Sequence, residues 1–163
     1  MNPTRQQVLA TIAIAGFGAV GIALITQHVF DMQPCPWCIL QRLVFVAIAL
    51  TALTGLAWQS LWGRRALPLL LLLLCSFGVA AALWQHFVAA ASSSCNLTLA
   101  DRIVSATQLD ELLPGVFQPR ATCAEAAAQL LGVPYEFWSL TLFLAIEGAA
   151  IWLFVRERRV VIA

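Results

Sequence analysis

Lysine is missing altogether from the 163 residues, and charge of either sign is scarce: nine basic residues, all arginine, and eight acidic ones make up 10% of the chain. A soluble globule carries about 25% charged residues, so a chain this poor in charge cannot clothe a water-facing surface. A net charge of +1 without any basic cluster excludes the electrostatic footprint of a nucleic-acid binder. The long apolar stretches do not alternate with polar residues, which excludes the strands of a membrane barrel. No clear small-x-small cleavage site follows the first apolar run. It is also too long for an ordinary signal sequence, so it is read as retained.

What is present is apolar: 61% of the residues are hydrophobic. A bilayer crossing needs about 20 largely apolar residues, and four runs qualify, at about residues 8–26, 39–58, 66–88 and 137–155. The expected fold is all-α, an integral membrane four-helix bundle forming one domain over residues 1–163. It has a short first outer loop, about residues 27–38, and a long second one, about residues 89–136. Arg5, Arg64, Arg65, Arg156, Arg158 and Arg159 gather on one side of such a bundle. The positive-inside rule then puts both termini in the cytoplasm and both loops outside.

Four of the five cysteines fall in those outer loops, where an oxidising compartment lets disulfides persist. The chain is organised around Gln33-Pro34-Cys35-Pro36-Trp37-Cys38-Ile39-Leu40-Gln41-Arg42. Pro34 and Pro36 keep a helix from running through the loop, and the second helix is expected to begin near Cys38. Its free N–H groups and macrodipole favour a thiolate there. Arg42 follows one turn later on the same face, roughly 6 Å deeper. An arginine at that depth is costly. It either only anchors, by snorkelling to headgroups or pairing with Asp31, or it keeps its guanidinium beside Cys38.

Elsewhere the signals are local. Ala15, Ala19 and Ala23, with Gly16, Gly18 and Gly21, form a small-residue stripe expected to seat a neighbouring helix. A turn is expected over Ser60 to Pro68, flanked by Trp58 and Trp62 like an interfacial aromatic belt. Cys75 lies well over 10 Å from the outer thiols by helix rise and is assigned no redox role. His86 stands at the level of Cys38 and Arg42, a better functional candidate than His28. Leu109, Leu112, Leu113 and Val116 keep helical spacing for at most two turns before Pro114-Gly115 interrupts. Thr122-Cys123-Ala124-Glu125 reads as a capping box, with an Ala-rich helix expected to Leu131, closed by Gly132 and Pro134. Cys123 would then sit in a first helical turn, where the dipole favours its thiolate and makes it a good leaving group. Glu147, near mid-membrane, is expected to be a protonated carboxyl bonded to Thr51 or Thr54.

Four cysteines also suggest zinc, but one C-x-x-C with two distant partners fits an all-cysteine zinc site poorly. Ile39 after Cys38 excludes a haem-attachment motif, and no metal site is expected. Two dithiol–disulfide pairs remain. Three pairings are possible, and the two-residue spacing favours Cys35–Cys38, which leaves Cys95–Cys123.

With four spans, a first-loop C-x-x-C followed by arginine and a distant second-loop pair, the chain resembles the DsbB family of bacterial inner-membrane thiol:quinone oxidoreductases. Gln27-His28-Val29, Gln85-His86 and Cys123-Ala124-Glu125 resemble that family too, so the likeness covers nearly the whole chain. It implies a bacterial inner-membrane enzyme with periplasmic redox loops and a quinone acceptor, ubiquinone or menaquinone. It also implies a periplasmic thioredoxin-fold partner, DsbA, as electron donor. The partner's thiolate would attack Cys95, Cys123 would leave and exchange with Cys35, and Cys38 would pass electrons to quinone beside Arg42, with His86 near the ring. Glu147 has no counterpart in the family pattern. Vitamin K epoxide reductases are similar in chemistry, but their loop cysteines precede the C-x-x-C. A membrane scaffold with two structural disulfides is the non-enzyme alternative.

Overall fold

A computed structural model describes residues 3–91, 98–126 and 128–162, the last four by their backbone alone. Four helices long and apolar enough to cross a membrane form its frame. They are α1 (Arg5–Val29), α2 (Pro36–Ala57), α3 (Leu61–Trp84), which runs on as a π-helical turn over Gln85–Ala89, and α7 (Tyr135–Ile162). Between α3 and α7 stand α4 (Leu99–Thr107), α5 (Leu109–Leu112), α6 (Pro114–Phe117) and an antiparallel hairpin, β1 (Gln129–Leu130) with β2 (Val133–Pro134). The fold is an all-α membrane four-helix bundle.

Polar caps start the long helices earlier than the apolar runs suggest. Thr4 and Gln7 close a reciprocal capping box on α1. Ser60 accepts from the N–H of Gly63 and starts α3 at Leu61, so Pro68 lies inside the helix. The expected turn over Ser60 to Pro68 is therefore wrong: one missing hydrogen bond at Pro68 does not stop a helix capped and buried on both sides of it. α2 likewise begins at Pro36 rather than near Cys38, because proline at the first helical position forfeits only an N–H with no partner there.

α1 packs along α2, α3 along α7, and α2 against α3. Gly16 carries the first contact. A Cβ there would stand 2.9 Å from the Phe45 carbonyl oxygen and 3.0 Å from the Ala49 Cβ, so the small-residue stripe does seat a neighbour. Phe45 stacks parallel on Phe143 at 4.1 Å in a core with Leu9, Ile48, Leu71 and Cys75. α1 and α7 touch less, and a gap opens between them toward the Cys38 end of the bundle.

At the opposite end, Arg5 and Arg64 converge on the buried carboxylate of Glu157, and Arg5 Nη1 donates to the Gly55 carbonyl at 2.8 Å. The Arg64 Nε–Glu157 Oε2 contact of 2.9 Å is an ion pair without hydrogen-bond geometry. One carboxylate thus ties α1 and α3 to α7.

Two further expectations are corrected. Glu147 accepts from Ser76 Oγ at 2.7 Å, whereas Thr51 and Thr54 satisfy carbonyls one turn back on their own helix. The helix expected from Cys123 to Leu131 is not formed. Thr122 and Glu125 do make the capping bonds, but only a turn over 123–126 follows. Leu131 and Gly132 then take φ of 56° and 78°, the left-handed pair that suits a two-residue hairpin. Gly132 turns a hairpin; it does not end a helix.

Candidate functional site

Cys35 is the N-cap of α2, with extended backbone. Its sulfur accepts the N–H of Cys38 at 3.3 Å, the task a serine or aspartate oxygen performs at other helix starts. Pro36 fixes the first helical φ. The Pro-Trp spacer thereby brings the two sulfurs to 2.9 Å, as free thiols in contact. Cys35 is fully buried among Trp37, Leu40, Val104 and Phe117. The second loop supplies much of that cover: α4 and α6 pack on the start of α2, and the Arg120 N–H donates to the Pro34 carbonyl at 2.9 Å.

Cys123 reaches the same point from the turn after Thr122. Its thiol is in hydrogen-bond contact with Cys35, which lowers its pKa, while burial pushes the Cys35 thiol well up. Cys35 therefore touches both Cys38 and Cys123. Cys95 lies outside the described residues, and so does the expected Cys95–Cys123 pair. Cys75 sits in the bundle core, apart from the other three.

Arg42 is buried rather than snorkelling, and Asp31 is not its partner. Nη1 donates to Gln27 Oε1 at 2.7 Å and to the Val116 carbonyl at 2.9 Å; Nη2 donates to the Ala23 carbonyl at 3.2 Å. Asp31 instead accepts from Gln33. Burial of this cation is sustained because α1 and the second loop turn oxygens toward it.

A cavity of about 470 Å³ opens between α1, α2 and α7, roofed by Leu130 and Leu131 of the hairpin. Ile22, Phe45 and Leu142 give it apolar walls, and Cys38, Gln41, Arg42, Gln85, Tyr135, Glu136 and Ser139 are among the polar groups that line it. Of the cysteines brought together, Cys38 alone lines it.

The π-helical turn ending α3 resets the register at this level; such turns recur at functional sites. Gln85 Nε2 donates to Cys38 Sγ at 3.3 Å, and Gln85 Oε1 accepts from Gln41 Nε2 at 2.7 Å. Ser139 of α7 donates to Gln41 Oε1, completing a polar chain from α7 to the Cys38 sulfur. His86, one residue on, turns the other way. Its Nδ1 lies 2.6 Å from Glu136 Oε1, and its ring packs on Phe87 and Phe137. Glu136 is buried and lines the cavity; His86 stands behind it and does not.

Sequence reasoning missed Gln27, Gln41, Gln85, Glu136 and Ser139 as site residues. Their signal was available, since uncharged amides and a carboxyl at the rims of apolar spans are costly unless partnered. It also missed α4, although Thr98 and Asp101 make the same reciprocal cap that was recognised at Thr122.

The family model described as disulfide bond formation protein DsbB matches residues 5–153. Similar curated proteins include disulfide bond formation protein B of Aromatoleum aromaticum, 34% identical over 95% of both chains. Disulfide bond formation protein B of Ralstonia nicotianae is 31% identical over 98% of this chain and 99% of its own. Disulfide bond formation protein B 1 of Pseudomonas aeruginosa is 31% identical over 96% and 97%.

Proposed function

Because the chain belongs to the DsbB family of disulfide bond formation proteins, we propose that it is a thiol:quinone oxidoreductase of the bacterial inner membrane. In this reading it reoxidises a periplasmic thioredoxin-fold dithiol protein of the DsbA type and passes the electrons to membrane quinone. Both termini face the cytoplasm and the cysteine-bearing loops face the periplasm, in keeping with the arginines gathered at the end opposite the thiols.

One observation carries the reading: Cys35 touches Cys38 on one side and Cys123 on the other, and Cys38 opens on an apolar cavity. A partner thiolate attacks Cys95 of a Cys95–Cys123 disulfide and releases Cys123. The Cys123 sulfur attacks Cys35 of a Cys35–Cys38 disulfide, and Cys38 leaves as a thiolate. The partner's second thiol resolves the mixed disulfide and frees Cys95, which attacks Cys123 of the Cys35–Cys123 disulfide, restores Cys95–Cys123 and releases Cys35. The two electrons and two protons taken from the partner then rest on the Cys35–Cys38 dithiol, whose reoxidation by the acceptor closes the round. Cys123 is suited to leaving because a backbone hydrogen bond at Trp37, which helps to lower its pKa, does not depend on the redox state of Cys35. Cys38 is suited to receiving charge because Gln85 Nε2 donates to its sulfur.

The residues around the cavity fit a quinone. Its volume falls in the range of small-molecule sites, which are mostly apolar with a few polar groups fixing orientation. Ile22, Phe45 and Leu142 suit a ring and the start of an isoprenoid tail. Arg42 has five N–H groups, and three are taken by Gln27, Val116 and Ala23, leaving two for a carbonyl oxygen. A bound quinone supplies the two-electron, two-proton acceptor. Arg42 orients a carbonyl and stabilises negative charge developing on it. Glu136 Oε1 at the cavity edge and His86 Nδ1 behind it form the pair through which a proton is passed to the cavity.

The test mixes the purified, quinone-loaded protein with a reduced thioredoxin-fold partner while quinone absorbance is followed. Loss of quinone absorbance in step with partner disulfide formation is expected. Unchanged absorbance would reduce the protein to a scaffold with structural disulfides.

A further inference from the structure

The end of the bundle farthest from the thiols carries a second cavity that the redox reading does not use. It measures about 550 Å³ and lies between the start of α3 and the end of α7. Its upper rim is cationic: Arg64 and Arg65 from α3 and Arg158 from α7. Its lower wall is apolar, formed by Ala66, Leu69 and Phe154, and Trp62 stands beside it, 81% exposed.

The three guanidinium groups are not equally committed. Arg64 faces Glu157 at 2.9 Å, and Glu157 is shared with Arg5, so the one carboxylate in the lining is already outnumbered. Arg158 lies over the Phe154 ring at 4.3 Å and has no hydrogen-bond or ion-pair partner among the described residues. Arg65 has no hydrogen-bond or ion-pair partner among the described residues. The lining thus holds surplus positive charge at an interface, directly above an apolar wall facing the bilayer.

We propose that this cavity is a binding site for the phosphodiester headgroup of an anionic phospholipid. Arg65 and Arg158 clamp the phosphate, and an acyl chain runs along Leu69 and Phe154. Guanidinium forks match phosphate oxygens in geometry as well as charge. Basic pockets between spanning helices at the inner face are where such headgroups bind. A soluble anion would have no use for the apolar wall, and Trp62 at the rim suits the headgroup level. The site ties the start of α3 to the end of α7 from outside, beside the internal tie through Glu157.

The test uses the full-length protein in detergent with equimolar phosphatidylglycerol and phosphatidylcholine of identical acyl chains, bound lipid being counted by native mass spectrometry. Wild type should retain phosphatidylglycerol with a preference of about thirtyfold, on the order expected for two basic residues near a headgroup. The double substitution Arg65→Gln/Arg158→Gln should bring the two lipids close to parity. Arg65→Gln alone, at an exposed and unpaired position, should lose part of the preference without touching the fold. Arg156→Gln removes an arginine of the same region that donates to the Pro3 carbonyl outside the cavity, and it should leave the preference intact. Equal retention of both lipids by wild type overturns the proposal, as does an unchanged preference in the double variant. Equal loss in Arg156→Gln would overturn it by assigning the effect to surface charge in general. Displacement of the lipid by inorganic phosphate would overturn it in favour of a soluble anion.

Discussion

Gln27 of α1 accepts a hydrogen bond from Arg42 of α2 at 2.7 Å, and both side chains are buried. The guanidinium is therefore held from the side by a neighbouring helix, with Val116 and Ala23 carbonyls completing its cradle. Its aim depends on residues distant in sequence, so charge and direction can be tested separately.

Arg42→Met should leave the protein inserted and its disulfides able to form, while quinone binding weakens and quinone reduction slows. Arg42→Lys, with charge but no planar fork, should fall between Met and wild type. Gln27→Ala keeps the charge but loosens its aim. About a tenfold loss in apparent quinone affinity is expected, the scale of one hydrogen bond to a charged group. Titrating quinone against the three variants decides it. Equal affinity and turnover throughout would confine Arg42 to holding α1 and α2 together.

Cys123 gives the pH signature. Its pKa is lowered first by the hydrogen bond from Cys35, so in the reduced protein its thiolate should persist to lower pH than an ordinary thiol's. Alkylation of the Cys123 peptide, followed by mass spectrometry across pH, should have its midpoint on the acid side of a free cysteine. Cys35→Ala removes the donor, and the midpoint should rise. A profile unmoved by Cys35→Ala would break the contact on which the proposed relay depends.

Glu136→Gln preserves shape but cannot hold a transferable proton. Single-turnover quinone reduction should slow by about a hundredfold, the lower range for a lost general acid. Mixed-disulfide formation with the partner protein, which involves other atoms, should keep its rate. Stopped-flow absorbance and trapped mixed disulfide give the two readings separately. If quinone reduction proceeds at the wild-type rate, Glu136 and His86 are a structural pair only.

The bundle was legible because apolar runs of spanning length have few alternatives. Arg42 was legible as a position, one turn beyond Cys38. Its environment was not, because Gln27 and Val116 arrive from elements whose packing no local pattern reveals. At Thr122 the capping box was read correctly and its consequence wrongly. The hydrogen bonds form, but Leu131 and Gly132 favour a hairpin turn, and the hairpin roofs the cavity. The register shift at Gln85 leaves no mark in composition either, and it is what aims Gln85 at Cys38 and His86 at Glu136.

The sulfur of Cys35 serves the backbone and the chemistry with one atom. As N-cap it holds the Cys38 amide, and in the proposed relay it changes covalent partner in every cycle. In that relay each change would reorient the lone pair offered to that amide, and the first turn of α2 would be gripped or let go in time with electron flow. Fraying of this helix end and the redox state of the protein become a single variable, readable as protection of the Cys38 amide against hydrogen exchange.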